Sequence, residues 1–234
     1  VGLGNFILTP SGDRNYILKT RELSATEKVI VMSAFQTETS NIAKEEKFSS
    51  IGPVVGSQMK NKAMVAITIV LICILLFITF VFRKVSKPVA SWKYALVTIV
   101  ALLHDVIIPT GFFVVWNHFT GGEIDLLFVT ALLAILGYSV HDTIVVFDRV
   151  RESLRDGVSK KPFIETVGEA VSQTMARSIN TSVTTFLTLA ALYFVGGETT
   201  KDFALLLLVG VVVGAYSSIF VASPLLVTLE KFQK

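Results

Sequence analysis

The chain carries little charge for its length. Only 17% of its 234 residues are charged, against about a quarter in a soluble domain, so the composition points to a membrane protein. It has one cysteine, Cys73, inside an apolar run. That excludes any disulfide within the chain and leaves the thiol as packing filler. The three histidines and their nearby acids lack the spacing of metal ligands, so no metal site is expected. No glycine-rich phosphate loop, nucleophile triad or cysteine–histidine cluster occurs. The chain is therefore not expected to be an enzyme or to need a cofactor, and any work it does must draw on an ion gradient. Net charge is only +3, and the basic excess sits in short loops, which argues for membrane topology and against nucleic acid. The first residues, Val1-Gly2-Leu3-Gly4, hold neither an initiator Met nor a basic n-region, so no signal peptide is expected and the chain reads as starting inside a domain.

What is abundant is apolar and clustered: 52% of residues are hydrophobic and the mean hydropathy is +0.67. Five windows, 63–82, 94–116, 126–147, 178–195 and 203–229, are long enough to cross about 30 Å of hydrocarbon. The loops between them are asymmetric. Arg83, Lys84, Lys87, Lys93, Arg149, Arg151, Arg155, Lys160, Lys161, Arg177, Lys231 and Lys234 fall on one side, and the two opposite loops hold only Lys201; Lys60 and Lys62, just before the first span, oppose this count without overturning it. The basic side is predicted to be cytoplasmic, with the C-terminus, and residues 1–60 to lie outside. This is a bacterial plasma-membrane pattern, with the thylakoid and archaeal membranes as the alternatives.

Residues 1–60, with seven basic and six acidic side chains, mix strand and helix. Short strands are predicted at 5–8 and 15–19 around the turn signal Pro10-Ser11-Gly12-Asp13, with a further strand at 46–51. Ser24 and Glu27 form a capping-box pattern ahead of an apolar face of Val29, Ile30, Ala34 and Phe35. So few large apolar groups make a thin core, as in part of an α+β domain. The remainder, 61–234, is predicted to be a helical membrane domain. Residues 161–175 have helical apolar spacing and read as an amphipathic helix at the inner surface.

Chemistry is expected where charge enters the spans. Asp142 lies about five residues inside the inner end of the third, with Tyr138 and Ser139 one turn earlier. In the fourth, Arg177, Asn180, Thr181, Thr184, Thr185 and Thr188 fall on one helical stripe. Such a stripe either glues helices together or lines a hydrated path. A carboxyl that alternates between a guanidinium and an apolar setting binds and releases a proton, and Asp142 facing Arg177 is read that way. His104-Asp105 sits halfway through the second span, and Pro109, lacking an N–H, frees the Asp105 carbonyl. Gly210 and Gly214 give the fifth span a small-residue packing face.

The run Gly137–Glu152, with Tyr138, Ser139, His141 and Asp142 inside it, resembles the fourth-helix signature of the SecF family of protein translocase subunits. The resemblance continues in Ala101–Ile108, in Ser178–Thr185 and in Gly52-Pro53-Val54-Val55-Gly56. SecF belongs with SecD in the resistance-nodulation-division superfamily, which has six membrane helices and an extracytoplasmic domain between the first two. The resemblance implies that the five spans are family helices two to six, preceded by part of an α+β, ferredoxin-like extracytoplasmic domain. The family's first helix and its Asp-Phe-x-Gly-Gly segment have no counterpart here. The resemblance further implies use of the proton-motive force, with SecD and the SecYEG channel, to move unfolded secreted proteins outward. It makes Asp142 the essential membrane acid and Arg177 its basic partner. Members often carry Asn where this chain has His141. Two other readings are a related proton-driven exporter of lipids or small molecules, and a membrane assembly scaffold without transport.

Overall fold

The computed structural model describes residues 3, 6–11, 15–36, 44–46, 48, 53–84, 89–120, 125–155 and 161–232. The chain divides into two units, Val1–Met64 and Val65–Lys234.

In the first unit, strands β1 (Ile7–Ser11) and β2 (Asn15–Lys19) pair antiparallel, with Thr9 opposite Ile17. β1 begins two residues later than predicted and runs through Pro10 and Ser11, read above as turn. A two-stranded sheet has only edge strands, where a missing proline N–H is tolerated. Helix α1 (Ala25–Ala34) starts at the expected capping box: Ser24 Oγ accepts from the Glu27 N–H at 3.3 Å, and Glu27 accepts from the Ser24 N–H at 2.9 Å. Arg21 pairs with the same carboxylate, and this bond, with those from Ser24, holds Glu27 down at about 2. The expected apolar face of α1 is not buried. Val29, Ile30 and Phe35 are exposed, and Val31 is the one buried residue of the helix. Most of the predicted strand at 46–51 lies outside the described residues.

The second unit is helical. Helix α2 (Pro53–Val81) ends in a 3₁₀ turn, Phe82–Lys84, and is followed by α3 (Ser91–Thr120), α4 (Leu126–Arg155) and α5 (Phe163–Val195). A last span runs through α6 (Glu198–Ser217), a π-helical segment (Ser218–Ala222) and α7 (Ser223–Lys231). Among the described residues, five segments are long and apolar enough to cross a membrane: Asn61–Val81, Ser91–Thr120, Leu126–Leu154, Phe163–Val195 and Thr200–Lys231.

The amphipathic segment at 161–175 is not a separate helix. It is the first part of α5, whose buried face runs Phe163, Val167, Ala170, Thr174, Ser178, Ser182 without interruption. Met175, Ala176 and Arg177 at the expected break are all good helix formers, so nothing stops the helix there.

The core has two centres. Phe82, Tyr94 and Phe147 are fully buried, with the first two rings stacked at 5.0 Å and Phe147 meeting Tyr94 edge-on at 5.5 Å. Phe113, Phe128, Leu132, Ile135 and Leu206 form the second cluster. Helix α3 continues through the buried Pro109. Arg151 Nη1 donates to the Val81 carbonyl at 3.2 Å, placing a cation on the carbonyl end of α2.

Candidate functional site

Helix α4 is the hub, because two adjacent faces of it carry polar groups that meet different neighbours. Tyr138 and Asp142 are four residues apart and share one face; Ser139 and Thr143 share the next.

The first face turns toward α5. The Tyr138 hydroxyl donates to Ser182 Oγ at 2.9 Å. Asp142 is 3% exposed, and its Oδ2 has no hydrogen-bond partner among the described residues. Ser178 and Ser182 are the α5 hydroxyls beside this carboxyl, yet Ser178 Oγ also lacks a partner of good geometry. A buried carboxyl oxygen and a buried hydroxyl left unpaired together are costly and rare in settled structure. His141 points outward and is exposed.

Arg177 is not brought to Asp142. Its side chain is exposed, and no ion pair joins the two among the described residues. Helix geometry accounts for this. Successive residues turn by about 100°, so when Ser178 faces α4, Arg177 is carried off that face. The predicted stripe goes with it: Asn180, Thr184 and Thr188 are exposed, and Thr181 and Thr185 half-buried. These threonines donate to their own helix, Thr181 to Arg177 O at 2.9 Å, Thr184 to Asn180 O at 3.0 Å and Thr185 to Thr181 O at 2.9 Å. The buried polar face of α5 is Thr174, Ser178 and Ser182, which periodicity alone did not single out.

The second face of α4 turns toward α3 and α6. Gly210 and Gly214 on α6 let the helices approach. A Cβ on Gly210 would sit 2.3 Å from Ile135 Cγ1, and one on Gly214 3.2 Å from Ser139 Cβ. Ile135 and Ser139 are themselves four apart, so a ridge of α4 lies in a groove of α6 cut by two glycines. This approach buries Asp105 completely. Its Oδ2 accepts from Ser139 Oγ and, at 2.7 Å, from Ser217 Oγ. Its Oδ1 meets His104 Nδ1 at 2.8 Å, and His104 Nε2 meets the Tyr216 hydroxyl at 2.8 Å. Thr143 and Ser218 hydroxyls meet at 3.0 Å just beyond. Tyr216, Ser217 and Ser218, three consecutive residues, thus all engage polar groups. Tyr216 and Ser217 end α6 and Ser218 opens the π-helical segment, and such segments are frequent at functional sites. Tyr216 and Ser217 were missed as partners of Asp105; their only sequence signal was their place just after Gly214.

The structure therefore separates the predicted residues into two centres. One holds Asp142 with Tyr138, Ser178 and Ser182; the other holds Asp105 with His104, Ser139, Tyr216 and Ser217. Arg177, Asn180, Thr181, Thr184, Thr185 and Thr188 belong to neither, and His141, though exposed, acts on the Asp142 carboxyl by charge. Among the described residues, no group of His, Cys, Asp or Glu could hold a metal ion.

Residues 31–232 match the family described as protein export membrane protein SecD/SecF, C-terminal. The chain is 51% identical over 185 residues to protein translocase subunit SecF of Thermobaculum terrenum, covering 78% of this chain and 56% of that one. It is 41% identical to SecF of Sebaldella termitidis, covering 93% and 67%. The chain thus spans between half and about two thirds of the length of these relatives. The crystal structure of SecDF, a translocon-associated membrane protein from Thermus thermophilus, superposes with a TM-score of 0.77 at 32% identity, over 97% of this chain and 29% of that chain. With five apolar spans beside these bacterial relatives, this is a multi-pass protein of the bacterial plasma membrane. The chain belongs to the SecD/SecF family of protein export membrane proteins.

Proposed function

We propose that this chain is the membrane part of an accessory subunit of protein export that draws on the proton-motive force. It would act with SecD and the SecYEG channel on unfolded secreted proteins, carrying no enzymatic activity of its own. The observation that carries this reading is the buried Asp142 carboxyl beside Ser178 and Ser182, whose Oδ2 has no hydrogen-bond partner among the described residues. Ionisable groups at membrane depth are expensive and mark proton or ion paths. An acid with an unsatisfied oxygen is poised to change partner.

Arg177 supplies the second partner. Because it lies on α5 one residue before Ser178, a turn of the helix by about 100° exchanges hydroxyl for guanidinium at the carboxyl. Proton loading of Asp142 then favours the serine-facing setting, and proton loss favours the arginine-facing one. Protonation is in this way converted into rotation of α5 against α4. The basic loops support a cytoplasmic C-terminus and an external position for residues 1–60, where motion of the helices would be passed to the exported chain.

The direct test is export of a secreted precursor in cells and in vesicles with an imposed proton gradient. Asp142→Asn is expected to remove the gradient-dependent stimulation while the protein stays in the membrane. Stimulation unchanged in that variant would refute the reading. A scaffold would instead lose function on disruption of the Gly210/Gly214 face and keep it on loss of Asp142.

A further inference from the structure

The Asp105 centre has a geometry that the Asp142 reading does not use. Both acceptor positions of Oδ2 are filled by the hydroxyls of Ser139 and Ser217, from α4 and α6. That leaves Oδ1 as the oxygen able to take a proton, and Oδ1 faces His104 Nδ1 at 2.8 Å. The other ring nitrogen faces the Tyr216 hydroxyl at 2.8 Å, and the two rings meet edge-on. Exposure rises along this line: Asp105 is 0% exposed and the His104 side chain 26%, while Tyr216 is 36% exposed. A row of hydrogen-bonding groups thus runs from one fully buried carboxyl oxygen outward between α3 and α6, to the face the bundle presents at mid-span.

We infer that Tyr216 and His104 form a tautomer-switching relay through which Oδ1 of Asp105 takes up and releases a proton. With Asp105 ionised, Nδ1–H donates to Oδ1 and Nε2 accepts from the Tyr216 O–H. A proton arriving at the Tyr216 oxygen sends the phenolic proton to Nε2, and the Nδ1 proton passes to Oδ1. Asp105 ends protonated, His104 neutral with its hydrogen on Nε2, and Tyr216 neutral. The reverse transfers empty the site. Loading it turns the two serine bonds from charge-assisted into ordinary ones, about half as strong, and so loosens α3 from α4 and α6 together. The remaining titratable groups on the packed helices near this row are Tyr138, His141 and Asp142 of α4; the first and last face α5, and His141 points outward. The inference rests on the proton-coupled reading above and assigns that reading a second proton-binding site with the groups that relay to it.

The test uses the intact protein in lipid bilayers, with 15N-labelled histidine and infrared detection of the carboxylic-acid C=O band. There are only three histidines, so His104→Gln assigns the signal. Where the Asp105 band is absent, His104 is expected as the neutral Nδ1–H tautomer, and Asp105→Asn, whose amide donates to Nδ1, is expected to invert it. After a pH jump, Tyr216→Phe should slow the appearance of the Asp105 band by about a hundredfold, the low end for a positioned proton-transfer group. The variant should also lose the wild-type solvent isotope effect, which a merely structural role would not do. An Nε2–H imidazole beside ionised Asp105, or unchanged loading in both Tyr216→Phe and His104→Gln, overturns the relay. Should loading be unaffected while proton flux persists, the relay fails and proton coupling stands. Loading through Tyr216 without any coupled flux leaves the relay standing and removes the coupling. If both variants misfold, the wild-type tautomer alone decides.

Discussion

Substituting Gly210 by alanine puts one methyl group where α4 and α6 touch, and its cost can be worked from the contact. The new Cβ would lie 2.3 Å from Ile135 Cγ1 and 2.4 Å from Cδ1, with Ile135 itself 1% exposed. Cγ1 is held close to the backbone, so rotating the chain end does not relieve the clash; the helices must part. Overpacking of this kind costs about 1–3 kcal/mol, and alanine returns up to about 1 kcal/mol of helix propensity. Gly210→Ala is therefore expected to destabilise the bundle by about 1–2 kcal/mol. Ile135→Ala alone costs about 2–5 kcal/mol by opening a cavity. In the double variant the new methyl enters that cavity, so the pair should be more stable than the sum of the singles by about 1–3 kcal/mol. Equilibrium unfolding in detergent or bicelles across the four proteins measures this. Gly137→Ala is the control: nothing lies within 4 Å of its Cβ position, so the variant should be neutral or slightly stabilised. Additive effects of Gly210→Ala and Ile135→Ala, or a harmless Gly210→Ala, would refute close α4–α6 packing.

Other outcomes follow from the same contacts. Gly214→Ala meets Ser139 at 3.2 Å; it should cost less stability than Gly210→Ala but disturb the Asp105 hydrogen bonds, seen as a shifted Asp105 carboxyl band. Tyr138→Phe removes the 2.9 Å bond to Ser182 and should cost about 0.6 kcal/mol, the average for such bonds between membrane helices. Thr184→Val and Thr188→Val lose only bonds to their own helix and should leave unfolding free energy within about 0.5 kcal/mol. In the first unit, the Arg21 and Ser24 bonds hold Glu27 at about 2, below the ordinary 4.5. Its contribution to α1 is thus full above about 4.5 and fades as pH falls towards about 2; Arg21→Leu should move the Glu27 carboxyl resonance back up in an NMR titration.

The spans and the two acids within them were legible because apolar length and isolated charge are one-dimensional signals. Which neighbour a helical face meets is not. The Arg177–Thr188 stripe was correctly read as one face of α5, yet periodicity cannot tell that those threonines bond to their own carbonyls. Ser178 and Ser182, only two residues, form too short a pattern to compete with six. The break expected after residue 175 came from reading the charge of Arg177 as a membrane boundary, when the residues around it all favour helix. The Asp105 centre joins residues 112 positions apart, and only the approach of α6 to α4 at Gly214 assembles it. In the first unit, the Ser24–Glu27 cap was readable as a local motif, whereas burial of the α1 apolar face depends on what packs against it.

The central claim is that a proton binds and leaves the Asp142 carboxyl as part of the working cycle. Proton flux into vesicles holding the intact protein, under an imposed gradient, tests it most directly. Wild type is expected to carry protons, Asp142→Asn to carry none, and Arg177→Gln to be strongly reduced. Flux in Asp142→Asn equal to wild type would contradict the account.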